Sequence, residues 1–127
     1  MEMEKVEAVG KIQKYIESHI NDPITLYDLA QTCGFSPWHA SRIFKELIGK
    51  TPFEYIRAFR ISRAALKLRD ENVKIIDVAF DFVFDTHEGF TRAFSKQFGI
   101  NPFKYKKQTL PVKLFIPFQI KIPTGIN

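Results

Sequence analysis

The sequence predicts an all-α protein that contains two copies of one small helical unit. Residues 42–55 match residues 92–105 at six of fourteen positions when the chain is shifted by 50, and residues 26–35 resemble residues 75–84 at a shift of 49. Apolar residues recur at helical spacing between residues that typically cap helices. The 127 residues, 45% hydrophobic and 26% charged, suit one or two small globular domains.

The first unit, residues 1–50, is expected to be a helix-turn-helix subdomain. Apolar residues on one face predict a leading helix from about Val6 to Ile20. A short helix begins after Thr25, which has an aspartate three residues later as in a capping box, and ends at Gly34. A capping serine and a first-turn proline open the next helix, at about residues 37–48. Two helices joined by a glycine turn are typical of the motif.

A linker helix is predicted for residues 51–69, since threonine, proline and glutamate at its start favour a helical first turn. Its length, about 27 Å at 1.5 Å per residue, would make it a stiff spacer. Residues 70–107 repeat the helix-turn-helix, with the second helix at about residues 86–98. Asp85 and Glu88 are expected to form the cap and capping box of that helix.

The tail, residues 108–127, is expected to be extended. An apolar residue occupies every second position, namely Val112, Leu114, Ile116, Phe118, Ile120 and Ile122. This period of two is typical of a strand. Because a lone strand cannot satisfy its backbone, we interpret the tail as the start of an effector domain missing from this chain. A disordered or surface-packed tail, and pairing between the tails of two chains, are the alternatives.

Basic residues form two blocks along the chain. Residues 36–67 carry seven basic and two acidic side chains, and residues 92–107 carry five basic and none acidic, within a net charge of +5. Two cationic elements separated by acidic ones indicate a polyanion as partner. Since the second helix of a helix-turn-helix enters the major groove, a monomer could read two successive major grooves about 34 Å apart at an asymmetric site.

Outward positions of the two second helices are the candidates for base contact. Arg42 and its repeat partner Arg92 come first, because a guanidinium can bond bidentately to guanine. Trp38 could pack on a thymine methyl or a sugar, or belong to the core. Glu88 could accept a bond from cytosine or serve only the helix cap. The base-contact candidates are Trp38, Ser41, Arg42, His87, Glu88, Thr91 and Arg92.

Phosphate contacts supply affinity without sequence information. The candidates are His39, Lys45, Lys50, Arg57, Arg60, Ser95, Lys96, Lys104, Lys106 and Lys107. Each of them alone could be a solvated surface side chain, so the prediction depends on their clustering. Arg63 and Lys67 could instead pair with acidic neighbours.

We expect no catalytic residue, no metal ligand and no cofactor. The three histidines lack the spacing of metal ligands, and the sequence has no glycine-rich phosphate loop. The single cysteine, Cys33, has no base partner in the sequence and suits a reducing compartment. No apolar stretch is long enough to cross a membrane. A cytoplasmic protein that is not an enzyme is therefore expected.

A helical adaptor that binds protein without binding DNA is the alternative function, since a fold alone cannot distinguish the two roles. Phosphate binding requires a steep loss of affinity with salt, whereas an adaptor does not. RNA binding is less favoured, because neither an aromatic stacking platform nor an RNP-like motif is evident.

Between Ile24 and Lys107, both units and the linker contain residues that together match the motif pattern of a known family. They are Leu29, Ala30, Ser36, Phe44, Lys45, Gly49, Pro52, Tyr55, Arg60, Ala64, Ala79, Phe84, Phe90, Arg92, Phe94, Gly99, Pro102 and Tyr105. In this order and spacing the chain resembles the DNA-binding domain of the AraC/XylS transcriptional regulators.

The resemblance implies seven helices, promoter DNA as partner, and often activation through recruitment of RNA polymerase. It also implies that the base-contact candidates face the bases, as they do in MarA-like members. His87 and Glu88 replace glutamines of some relatives, so the base preference of the second unit does not transfer.

Val83 departs from the repeat and from the family pattern. It stands where the first unit has Gly34, at a turn position that commonly needs a positive φ. A β-branched residue is costly there, so this turn is expected to be strained or rebuilt.

Overall fold

A computed structural model describes residues 2–121, and in that part the chain contains seven α-helices and no strand. The helices are α1 (Glu2–Ser18), α2 (Leu26–Cys33), α3 (Pro37–Ile48), α4 (Pro52–Asp70), α5 (Ile75–Asp81), α6 (His87–Phe98) and α7 (Pro102–Gln108). The all-α prediction, with two helix-turn-helix motifs and a linker helix, is confirmed. The leading helix begins and ends earlier than predicted, since α1 starts at Glu2 and stops at Ser18.

Contacts divide the chain into two units, and the division falls within α4. Of the described residues, the first unit contains residues 2–56 together with residues 117–121, and the second contains Arg57–Ile116. The first turn of α4 therefore belongs to the first unit, and the rest of α4 supplies the core of the second. The predicted domain boundaries make the linker helix, residues 51–69, a separate segment between the two units. This division remains a prediction.

Helix caps in the first unit follow the local sequence. The Thr25 hydroxyl accepts a hydrogen bond from the Asp28 amide at 3.1 Å, and the Asp28 carboxylate accepts one from the Thr25 amide at 2.9 Å. Ser36 caps α3 by accepting from the His39 amide at 3.1 Å. Gly34 ends α2 with φ +75° and donates to the Ala30 carbonyl at 2.9 Å. Capping box, serine cap and glycine turn are all confirmed.

The core of the second unit is aromatic. Phe90 and Phe94 of α6 are fully buried, and the Phe94 ring lies 5.5 Å from the ring of Tyr105. The Tyr105 hydroxyl donates to the Ala65 carbonyl of α4 at 3.1 Å, so a buried polar group is satisfied while α7 is fastened to α4. This packing leaves the opposite face of α6 outside the core.

The predicted cap of α6 is wrong. Thr86, rather than Asp85, is the N-cap, and its hydroxyl accepts from the Gly89 amide at 2.9 Å. The third helical position is then Gly89, which has no side chain to complete a capping box. Asp85 lies one residue too early for the cap, and Glu88 lies one residue too early for the box.

The turn after α5 has the positive φ that the repeat predicts. Val83 has φ +66°. Its amide donates to the Phe80 carbonyl at 3.0 Å, and the Phe84 amide donates to the Ala79 carbonyl at 3.0 Å. This pair of bonds is a Schellman ending, in which glycine usually occupies the position that Val83 has here. A β-branched residue therefore holds a left-handed conformation.

The strand predicted for the tail is wrong for its described part, residues 109–121, which has no regular secondary structure. Of the alternating residues, Ile116 and Phe118 are 78% and 66% exposed, whereas Val112 and Leu114 pack against the core of the second unit. Helix side chains bind the tail backbone instead of a neighbouring strand: the Gln13 side chain of α1 accepts from the Ile120 amide, and the Ser62 hydroxyl of α4 accepts from the Phe115 amide. Ile122 and the residues after it lie outside the described part.

Candidate nucleic-acid interface

The first candidate surface is the outward face of α3. Ala40, Ile43 and Phe44 are buried on its inner face, and helical spacing turns the remaining positions away from the core. Trp38 is 68% exposed, so its interpretation as a core residue is wrong. The Arg42 guanidinium lies over the Trp38 ring, 5.1 Å from its centroid, a distance suited to a cation–π contact.

The exposed face of α3 borders an open groove that also includes α1. Its lining residues are Lys5, Trp38, Ser41, Arg42, Lys45 and Glu46. The Lys5 ammonium of α1 lies 3.4 Å from the Glu46 carboxylate of α3. Four of the predicted site residues thus line the same groove, namely Trp38, Ser41, Arg42 and Lys45. Lys5 and Glu46 were missed, because nothing in the sequence places the start of α1 beside the end of α3.

The second candidate surface is the outward face of α6. His87, Glu88 and Arg92 are exposed, and Ser95 is half-buried. Glu88 makes no cap, so its carboxylate is available in the first turn of the helix. Thr91 is half-buried, and its hydroxyl oxygen is buried with no hydrogen-bond partner in residues 2–121. The accessible part of Thr91 is therefore not its hydroxyl oxygen.

Phosphate candidates differ in how far the fold leaves them accessible. Those with exposed side chains are Lys45, Arg57, Lys96, Lys104 and Lys107. Lys107 lies over the exposed Phe103 ring at 5.7 Å. Lys106 donates to the Val73 carbonyl, and the His39 ring packs 4.6 Å from Phe35. Lys50 and Arg60 are half-buried.

The basic residues that were set apart on the linker helix have partners. Lys67 pairs with Asp81 at 3.1 Å, and hydrogen bonding to this carboxylate raises the pKa of Lys67. The Arg63 guanidinium lies 5.1 Å from the centroid of the Phe59 ring. Both Lys67 and Arg63 lie on α4 and do not belong to the candidate surfaces on α3 and α6.

No group of three or more histidine, cysteine, aspartate or glutamate side chains in residues 2–121 could hold a metal ion. No helix in the same range has the length and apolar character needed to cross a membrane.

The chain is similar in sequence to known helix-turn-helix regulators. Residues 29–108 match a family model described as a helix-turn-helix domain. The transcriptional regulator Rob of Salmonella typhimurium is 36% identical over 107 residues, which are 84% of this chain and 37% of Rob. The HTH-type transcriptional activator AarP of Providencia stuartii is 35% identical over 98 residues, 77% of this chain and 73% of AarP. The chain thus spans little more than a third of the length of Rob.

Solved structures show the same fold. An AraC-type transcriptional regulator from Chromobacterium violaceum superposes with a TM-score of 0.75 at 24% identity, covering 80% of this chain and 91% of that one. The DNA-binding domain of AdpA, solved in complex with a target DNA, superposes with a TM-score of 0.74 at 20% identity, covering 78% and 89%.

Proposed function

The chain belongs to the AraC-type family of helix-turn-helix transcriptional regulators, and from that premise we propose that α3 and α6 each enter a major groove of one DNA duplex. The observation that carries the proposal is the repeat of Arg42 at Arg92, both exposed on the outward face of the second helix of a unit. Each guanidinium bonds to the O6 and N7 atoms of a guanine.

Other outward side chains of α3 and α6 complete the two surfaces that are proposed to contact bases. Trp38 supports Arg42 and offers its ring to a thymine methyl or a sugar, and Glu88 accepts from the amino group of a cytosine. The exposed lysines beside these helices contact phosphates and set the affinity. Because the two units are a tandem repeat in one chain and need no two-fold axis, one chain suffices for an asymmetric site.

The biological role follows from the relatives. Rob is a transcriptional regulator and AarP a transcriptional activator by name. We propose that this chain likewise regulates transcription from promoter DNA in the cytoplasm, as a monomer on its site, with RNA polymerase as the second partner. No enzymatic role is proposed.

Selection of bound sequences from random duplexes tests the base contacts. Arg42→Ala and Arg92→Ala should each erase preference at one position of the selected site, and these two positions should lie about one helical turn apart. Arg63→Ala is the matched control, because Arg63 stacks on Phe59 outside both surfaces, and it should select the wild-type site. If both reading variants bind all sequences more weakly and lose no preference, the arginines are phosphate clamps.

A further inference from the structure

The exposed face of α3 contains an acidic residue, Glu46, that can compete with DNA for Arg42, the arginine proposed to contact a guanine. Glu46 is the only acidic residue of α3, and it lies four positions after Arg42. Side chains at this spacing are neighbours on a helix, and opposite charges there attract each other. An ion pair between them would occupy the guanidinium that a guanine contact requires.

The structure shows both side chains engaged elsewhere. The Glu46 carboxylate is 3.4 Å from the Lys5 ammonium of α1. The Arg42 guanidinium is turned toward the preceding turn of α3, over the Trp38 ring. Lys5 therefore binds the carboxylate, while the Trp38 ring contacts the guanidinium.

Small energies decide between these arrangements. Lys5 and Glu46 have side chains that are 29% and 51% exposed, and exposed ion pairs are individually weak. A helical pair between Arg42 and Glu46 would be of similar strength. Loss of the Lys5 ammonium therefore removes the partner that the Glu46 carboxylate has in the groove and favours the helical pair with Arg42.

We propose that Lys5 is a positioning residue for base recognition, which holds Glu46 away from Arg42 and so keeps the guanidinium available to guanine. This inference rests on the proposed role of α3. Lys5 also neutralises a carboxylate that would otherwise face the DNA phosphates.

The test measures affinity for the selected duplex and for a random duplex of equal length. Lys5→Ala should lower the ratio of the two affinities by about twofold, the size expected when an exposed i,i+4 ion pair competes for the guanidinium. Adding Glu46→Gln to this variant should restore the wild-type ratio, because a neutral amide does not hold Arg42. Lys5→Arg, which keeps the cation, should retain the ratio.

Lys14→Ala is the matched control, since Lys14 is an exposed lysine of the same helix outside the groove. It should leave the ratio unchanged, and thermal unfolding should show that every variant is folded.

An equal loss of affinity for both duplexes without rescue by Glu46→Gln would overturn the proposal and make Lys5 a phosphate contact. An unchanged ratio in Lys5→Ala would also overturn it. The proposed function fails separately, if the wild-type chain prefers no sequence or if Arg42→Ala keeps the wild-type preference.

Discussion

Individual residues explain where the two copies of the repeat have diverged. Gly34 and Val83 occupy the same turn position, and both adopt a positive φ, +75° and +66°. Glycine accepts this conformation without cost, whereas a β-branched residue strains it. The left-handed turn that ends α5 in the second unit is therefore occupied by a residue, Val83, that disfavours this conformation.

Val83→Gly should raise the melting temperature. Relief of the left-handed strain is worth about 1–3 kcal/mol, and the greater unfolded-state entropy of glycine offsets about 0.5–1 kcal/mol of it. We expect a net gain of about 1 kcal/mol, or a few degrees in thermal unfolding followed by circular dichroism.

Gly34→Val is the reciprocal control for that experiment. A Cβ at Gly34 meets no atom within 4 Å, and a β-branched residue is strained at φ +75°, so the variant should lower the melting temperature. If Val83→Gly does not raise the melting temperature, the strain interpretation is wrong.

Glu88 should set a base preference without contributing to the helix cap. Thr86 makes the cap of α6, so Glu88→Gln should change the free energy of unfolding by less than about 0.5 kcal/mol, as is usual for surface substitutions. Because glutamine pairs with adenine where glutamate accepts from cytosine, selection should show a change from cytosine to adenine at one position. Unchanged selection would exclude Glu88 from the bases.

At the scale of whole elements, the tail depends on two buried polar side chains. In the first unit, the Gln13 amide donates to the Phe118 carbonyl at 2.8 Å and accepts from the Ile120 amide at 2.9 Å. In the second unit, the Ser62 hydroxyl accepts from the Phe115 amide at 2.7 Å. Gln13 and Ser62 are 49 residues apart, the shift that also relates α2 to α5. The repeat thus includes α1 and α4.

Gln13→Ala should destabilise the protein by about 1–3 kcal/mol, since it leaves backbone groups of the tail without partners and opens a gap beside Tyr55. Urea denaturation measures this loss, and hydrogen exchange should show faster exchange of the Ile120 amide. Gln31→Ala, at an exposed position of α2, should change neither. Equal stability of the two variants would mean that the tail does not stabilise the first unit.

The whole molecule has a charge distribution suited to a polyanion, with both basic blocks beside the second helices. Binding to a random duplex should therefore weaken steeply with salt, by about a thousandfold or more between 50 and 200 mM if six or more phosphates are contacted. Fluorescence anisotropy at two ionic strengths measures this slope. A shallow slope would favour the protein-binding adaptor over DNA binding.

Local rules were enough to predict most of the architecture. Helix caps, glycine turns and apolar spacing depend on residues within a few positions of each other, so the helices, the repeat and the exposed arginines could be inferred from the chain alone. The cap of α6 was misplaced by one residue, because Asp85 and Thr86 are both good capping residues and their order does not choose between them.

Contacts between distant residues required the folded structure. Lys5 meets Glu46 across 41 positions, and Gln13 meets Ile120 across 107; no periodicity or motif encodes such pairs. The tail has the alternation of a strand, yet backbone groups of Phe115, Phe118 and Ile120 bond to a buried amide and a hydroxyl. A polar group takes whichever partner the packing of helices brings within reach, and that is a property of the assembled core rather than of any local segment.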